Sequence, residues 1–251
     1  MPLPGAEIFE RAGLKAWPGI EVEWDGNWVR RATLGYTQRS NSVQSLDPAD
    51  DSNAPARLAA SCNWFKARNL PPIFRVTPLA GPRVVEALDA AAWRSEDHSH
   101  LFAMELGSIE ADPRGELHDL LDPTFLAVQQ QLQGYADERL ERLKALLRVI
   151  DSPGKGVVLR SAAGEPVASS LMVVADGIVI TGLVFTDESQ RRKGYGGGMM
   201  RTGLAWAKSA GATIAALNVA ADNPEGQALY RSLGYARQYD YVYRYGGVGA
   251  A

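Results

Sequence analysis

The run Gln190-Arg191-Arg192-Lys193-Gly194-Tyr195-Gly196-Gly197-Gly198 brings three cations and four glycines together between an apolar segment ending at Thr186 and a helical pattern starting near Tyr195. At a strand-to-helix junction, unpaired backbone N–H groups, the helix dipole and basic side chains all favour an anion, and a pyrophosphate is the natural ligand. Gly194 and Gly196 allow the main chain to approach phosphate oxygens without a Cβ in the way. Two common nucleotide patterns do not fit: G-x-G-x-x-G needs glycine where Met199 stands, and a P-loop needs Gly-Lys-Ser/Thr. Taken alone, the loop also reads as a glycine-rich turn with solvated charges.

The elements around this loop are legible. Strands are expected at Gly156–Arg160, Val167–Ala175 and Ile178–Thr186, the last two joined by Asp176-Gly177, a strong hairpin signal. The helix from Tyr195 to Ala210 stops at Gly211. A strand at Thr213–Ala220, a helix at Pro224–Leu233 ended by Gly234, and an aromatic strand at Tyr239–Tyr245 follow. Asn223 before Pro224 and Glu225 makes a good helix cap. Tyr230, beside Leu229 and Leu233, reads from helical pattern alone as an amphipathic core tyrosine.

Upstream, Glu7–Trp17, Pro55–Arg68 and Pro82–Trp93 read as helices. Ile20–Trp28, Ile73–Val76 and His100–Leu106 read as strands, giving an α/β alternation. Pro71-Pro72 marks a firm boundary before Ile73. Glu105–Asp122, rich in acid with only Arg114 opposing, reads as an acidic connection, so the domain boundary is placed there: residues 1–110 and 116–251. Thr124–Ile150 holds one or two helices, with Leu140, Leu143, Leu146 and Leu147 at helical spacing.

Two motifs in order now resemble the GNAT superfamily of N-acetyltransferases. Arg191-Arg192-Lys193-Gly194-Tyr195-Gly196 is similar to its Gln/Arg-x-x-Gly-x-Gly/Ala signature. Asn223 to Tyr235 resembles its Asn-x-x-Ala-x-x-Leu-Tyr-x-x-x-Gly-Phe/Tyr run, with Gly226 where alanine is usual. The first half, through Tyr36–Val43, Trp64-Phe65 and Leu70–Val76, resembles the degenerate GNAT-like half of longer bacterial members. The implied fold is α/β: two GNAT-like α/β/α domains in tandem, each a mixed, mostly antiparallel twisted sheet flanked by helices.

The resemblance implies acetyl-CoA as cosubstrate and an N-acetyltransferase acting on a primary amine, of a small molecule or of a protein, by direct attack in a ternary complex. The backbone of Arg191, Arg192, Lys193, Gly194, Tyr195, Gly196 and Gly197 would hold the pyrophosphate. The main chain of Phe185 and Thr186 would pair with the pantetheine arm, a backbone N–H near Thr186 would stabilise the oxyanion, and Asn223 would contact the cofactor. Tyr230 matches the family tyrosine that protonates the departing thiolate. The expected strands Ile178–Thr186 and Thr213–Ala220 contain no carboxylate, so no general base is assigned. A non-catalytic acyl-CoA sensor or interaction module is the alternative.

The remaining chemistry-bearing residues read more plainly. Cys62 is taken as a small buried hydrophobe. His98 and His100 share one strand face without a third ligand at a useful spacing, so no metal site is expected. With 26 Lys+Arg against 29 Asp+Glu and no basic stripe, nucleic acid is not an expected partner. Serines, Asp176 and Gly177 interrupt the longest apolar stretch, Val167 to Phe185, so no membrane span is expected. One cysteine and an opening without a leader pattern suggest a cytoplasmic protein. Tyr239, Tyr241, Tyr243 and Tyr245 either form a homodimer surface or line the acceptor site.

Overall fold

The computed structural model describes residues 2–247. The first half contains α1 (Ala6–Ala16), β1 (Glu21–Asp25), β2 (Trp28–Ala32), β3 (Val43–Ser45), α2 (Ala54–Lys66), β4 (Ile73–Val76), α3 (Pro82–Ala90) and β5 (Arg94–Glu105). The second contains β6 (Gly115–His118), α4 (Pro123–Gln133), α5 (Asp137–Arg148), β7 (Gly154–Arg160), β8 (Pro166–Ala175), β9 (Ile178–Thr186), α6 (Tyr195–Ser209), β10 (Ile214–Ala220), α7 (Pro224–Ser232) and β11 (Ala236–Tyr245).

The eleven strands of the described residues join one sheet, ordered β1-β2-β3-β4-β11-β5-β10-β9-β8-β7-β6. The ladders are antiparallel except at β3/β4 and β9/β10, each a parallel pair connected through a helix, α2 or α6. β11 pairs with β4 and β5, while β5 pairs with β10 and β11, so each half places its last strand against strands of the other. The chain thus carries one mixed, mostly antiparallel sheet flanked by helices.

Burial explains the layers. On one face of the sheet, Leu143, Leu146 and Leu147 of α5 and Phe125 of α4 pack with Phe9 and Trp17 against Leu171, Val173 and Ile180. On the other, Met199, Met200 and Leu204 of α6 and Tyr230 of α7 pack against Val157, Met172, Val179 and Leu217. Alternation along β8 and β9 sends successive apolar side chains to opposite cores, which is why these strands are hydrophobic almost throughout.

Several expectations are corrected. Ile20–Trp28 is not one strand: Gly26 in the left-handed region (φ +59) turns the chain between β1 and β2. The acidic stretch contains β6, which pairs with β7 at the sheet edge, and Gly115 there sits where a Cβ would lie 2.2 Å from Thr202 Oγ1. Asp112 within that stretch is buried, 7% exposed, and is not a solvated charge. β11 lies inside the sheet between β4 and β5, with Tyr241 and Tyr243 each 5% exposed and Tyr239 and Tyr245 partly buried. Cys62, expected to be buried, is partly exposed. Among the described residues no helix is long and apolar enough to cross a membrane.

Candidate active site

β9 and β10 run in parallel from Ile214↔Ile178 to Leu217↔Thr181 and then lose their pairing. Beyond that point β9 continues through Gly182–Thr186 and β10 through Asn218–Ala220, leaving the edge of β9 that faces β10 open. A β-bulge occurs here: Ser169↔Phe185 and Leu171↔Gly182 enclose one extra residue on β9, and Leu183 takes φ +51. The extra residue is left outside the ladder and bends the strand. Gln129, buried on α4, donates from Nε2 to the Leu183 carbonyl at 3.3 Å and to Ser169 Oγ at 2.8 Å, pinning the bulge. Gln129 belongs to neither motif; the signal that marks it is a polar residue on the apolar face of a helix.

Asp187 follows directly. Its side chain accepts from Ser189 N at 2.9 Å, and contacts with Ser189 draw its carboxyl below the ordinary value. Arg192 (φ +61) and Gly194 (φ +81) then bring the chain into α6. The first intrahelical bond runs from Gly198 N–H to Gly194 C=O at 2.9 Å, so the amides of Tyr195, Gly196 and Gly197 have no acceptor within the helix. A Cβ on Gly196 would come 3.1 Å from Thr186 Oγ1 and 3.3 Å from Leu229, which makes glycine the residue that keeps this corner open. Lys193 Nζ donates to Gln190 at 3.0 Å, and Arg191 faces Glu188 and Glu225 at 3.3 and 3.6 Å. Arg192 forms no ion pair among the described residues.

Two further cations flank the helix start. Arg114 grips Asp112 through two N–H groups at 2.9 and 2.8 Å and lies 5.1 Å from the Tyr195 ring centroid; Arg201 stands 3.6 Å from the same carboxylate. Hydrogen bonding from Arg114 outweighs burial and lowers the Asp112 carboxyl to about 2. Asn223 caps α7, its Oδ1 accepting from Gly226 N–H at 2.8 Å. A Cβ at 226 would lie 2.8 Å from Asn223 Nδ2, a physical reason for glycine there.

Tyr230 is 7% exposed, beside Tyr235 with ring centroids 6.1 Å apart, and burial pushes its phenol up to about 12. Gly196 of α6, Thr186 of β9 and Leu229 of α7 meet at one corner, Arg191 faces Glu225 of α7, and Tyr230 shares an apolar cluster with Met199 of α6. The first half packs on β9 as well. Trp17, following α1, packs so tightly on Gly182 that a Cβ there would lie 2.2 Å from its ring, and the Arg39 guanidinium stacks 4.7 Å from the Trp17 ring centroid. Neither residue was singled out from sequence, because only the fold brings residues 17 and 39 to β9. His98 and His100 lie on β5, where His100 pairs with Asp240 at 2.7 Å.

A parting pair of parallel strands, a bulge, and a glycine-rich helix start define an acyltransferase of the GNAT class. The model of the Rv0428c C-terminal family, described as the C-terminal part of a probable histone acetyltransferase, matches residues 6–245, and the chain belongs to that family. It is 25% identical over 244 residues to the uncharacterized N-acetyltransferase YobR of Bacillus subtilis, covering 94% of this chain and 96% of YobR. It is 29% identical over 123 residues to the probable histone acetyltransferase Rv0428c of Mycobacterium tuberculosis, covering 49% of this chain and 38% of that protein. In structure it resembles a GCN5-related N-acetyltransferase from Kribbella flavida (TM-score 0.74, 20% identity, 99% and 98% of the two chains). It also resembles a tandem GNAT protein from the clavulanic acid biosynthesis pathway (TM-score 0.64, 12% identity, 98% and 90%).

Proposed function

We propose that the protein transfers the acetyl group of acetyl-CoA to a primary amine within a ternary complex. The observation that carries this reading is the continuous path from the open edge of β9 to the free amides at the start of α6. The amides of Tyr195, Gly196 and Gly197, with Arg191, Arg192 and Lys193 around them, would hold the pyrophosphate. The main chain of Phe185 and Thr186 would pair with the pantetheine arm as an added strand, and Asn223 would meet the cofactor through its free amide nitrogen.

The thioester would then lie where β9 and β10 part. The amine nitrogen bonds to the carbonyl carbon, the C–S bond breaks, and the Tyr230 phenol gives its proton to the sulfur. The proton lost by the nitrogen restores the tyrosine through solvent. A phenol near 12 is protonated at any working pH, and it donates to a thiolate only where that thiolate has itself been stripped of water. Backbone N–H groups near Thr186 and at the Leu183 bulge supply the oxyanion stabilisation. Glu10, a buried carboxylate lining a cavity with Asn218 of β10, has both oxygens engaged: Oε1 accepts from Tyr239 at 2.6 Å, and Oε2 from Gln44 at 3.1 Å and from Arg75. Glu10 therefore anchors its neighbours and leaves the proton balance to solvent.

Calorimetric titration of acetyl-CoA, followed by thiol detection on adding amines, tests the proposal. Binding at about micromolar Kd with amine-dependent thiol release is expected. Absence of acetyl-CoA binding would overturn the choice of donor.

A further inference from the structure

Buried donors gather at the junction of the two halves. A small cavity beside the parting of β9 and β10 is lined by Arg31, Arg39 and Arg75 of the first half, with Glu10, Ile180 of β9 and Asn218 of β10. Asn218 is the first residue of β10 beyond its pairing with β9, so the cavity adjoins the point where the reacting groups would meet. Three guanidinium groups face one carboxylate there. Arg75 takes Glu10 and reaches Asn218 Oδ1 at 3.3 Å. Arg31, 2% exposed, has only neutral acceptors, the Trp17 carbonyl at 2.7 Å and Gln44 Oε1 at 3.1 Å. Arg39 rests on the Trp17 ring and makes no ion pair among the described residues.

The nitrogens Nε of Arg31, Nε of Arg39, Nε of Arg75 and Nε1 of Trp17 are all buried without an acceptor. Each can only donate, so the cluster lacks acceptors and negative charge, and the missing partner is an anion. Burial and the neighbouring Arg75 charge bring the Arg31 guanidinium down to about 10, the direction expected where cations crowd without a counter-ion. A charge left so poorly paired inside a protein is costly unless a ligand completes it.

Building on the acetyltransferase reading, we infer that the acceptor is a small molecule bearing both an amine and a carboxylate, and that Arg31, Arg39 and the Trp17 indole N–H receive the carboxylate while the amine points toward the parting of β9 and β10. A flat guanidinium fork matches two carboxylate oxygens, and Arg39, partly exposed where Arg31 is buried, offers its unpaired Nε beside the Trp17 ring. The first half, which lacks the glycine cradle, then serves as the acceptor-recognition half.

The test uses the full chain in three arms. Acetyl-CoA is titrated first; if it fails to bind, the donor reading falls, independently of the acceptor. The complex with CoA is next titrated with the twenty N-acetyl amino acids and with their primary amides. At least one acid is expected to bind tenfold or more tightly than its amide. Thiol release is then compared for the matching free amino acid, its amide and its decarboxylated amine, with the advantage of the acid appearing in KM. Arg39→Gln, at a partly exposed position, should erase the preference for the acid while leaving acetyl-CoA affinity unchanged, and Arg31→Lys should reduce it. Intact acetyl-CoA binding overturns the inference if no acid binds better than its amide, if an amine bearing phosphate in place of carboxylate is preferred, or if the preference survives in Arg39→Gln.

Discussion

The entrances to α2 and α6 are built on the same backbone and opposite chemistry. Each helix follows the first strand of a parallel pair, and each is preceded by a left-handed residue, Asn53 at φ +53 and Gly194 at φ +81. Between β3 and α2, however, stand Asp47, Asp50 and Asp51, where the other connection has Arg191, Arg192 and Lys193. The aspartates are turned inward: Asp50 accepts from Asn27 N–H at 2.6 Å and from Arg57 at 2.8 Å, and Asp51 accepts from Arg83 N–H at 3.2 Å. The acids of the first connection are thus engaged with neighbouring segments, and Pro55 removes one amide from the start of α2. The same strand-loop-helix geometry favours an anion where glycines and cations, and not acids and proline, line the helix start.

Giving the second entrance the charge of the first breaks the comparison most directly. Gly194→Asp puts a Cβ on a residue at φ +81 and a negative charge at the helix start, and is expected to weaken acetyl-CoA binding at least about 100-fold by calorimetry. Far-ultraviolet circular dichroism should be unchanged, because a Cβ at 194 meets nothing within 4 Å. Retained affinity would mean that pyrophosphate does not lie at this helix.

The helices that follow differ in the same sense. Both α3 and α7 open on proline, and six residues on, α3 has Leu88, fully buried, where α7 has Tyr230. Leu88→Ala is expected to cost about 3 kcal/mol in urea unfolding while leaving KM for acetyl-CoA in place. Tyr230→Phe is expected to lower kcat about 100-fold with unchanged acetyl-CoA affinity and stability. Equal kcat in the two forms would return Tyr230 to a packing role like that of Leu88.

How much of this contrast the chain reveals before folding differs between its halves. Asp176-Gly177, the glycine-rich loop and the run from Asn223 to Tyr235 are local signals, each complete within about a dozen residues, and they locate β8, β9, α6 and α7 closely. The first half, together with β6 and β11 of the second, depends on distant contacts. Gly26 hides a hairpin inside an apolar run, β6 lies in an acidic stretch because Gly115 fits beneath Thr202, and β11 reaches its place between β4 and β5 only through long-range pairing. The cradle is therefore readable from residues 190–198. The opposing wall of Trp17, Arg31, Arg39 and Arg75 comes from α1, β2, β4 and the turns between, with no shared spacing to mark it.

The first entrance has its own smaller test. Asp50→Asn removes the carboxylate that Arg57 and the Asn27 amide share, whose Arg57 bond holds it below the ordinary value. A loss of about 2 kcal/mol in urea unfolding is expected, with acetyl-CoA affinity unchanged. A change in that affinity would show that the two entrances are coupled, against their separate roles.

The second entrance contains one carboxylate of its own, and it sharpens the contrast because it must be neutralised where Asp50 need only be paired. Asp112 lies under Gly198, where a Cβ would come 2.5 Å from its Oδ2, and Arg114 and Arg201 offset it. Its carboxyl falls from an ordinary 3.8 to about 2 in the folded protein, so the folded state favours the charged form. That preference stabilises fully above the unfolded value and is lost as pH falls from near 3.8 toward 2, since protonation then costs the folded state more than the unfolded one. Asp112→Asn is expected to lower stability by about 1–2 kcal/mol at neutral pH, with the difference from the native chain shrinking below pH 4 in urea titrations. It also leaves Arg114 and Arg201 without their carboxylate beside the helix start, so acetyl-CoA should bind a few-fold more tightly at low salt and no differently at high salt. A deficit that persists unchanged to pH 2 would assign Asp112 to packing under α6. Weaker acetyl-CoA binding in the variant would mean that Asp112 orients the two arginines toward the phosphates, making this carboxylate part of the cradle.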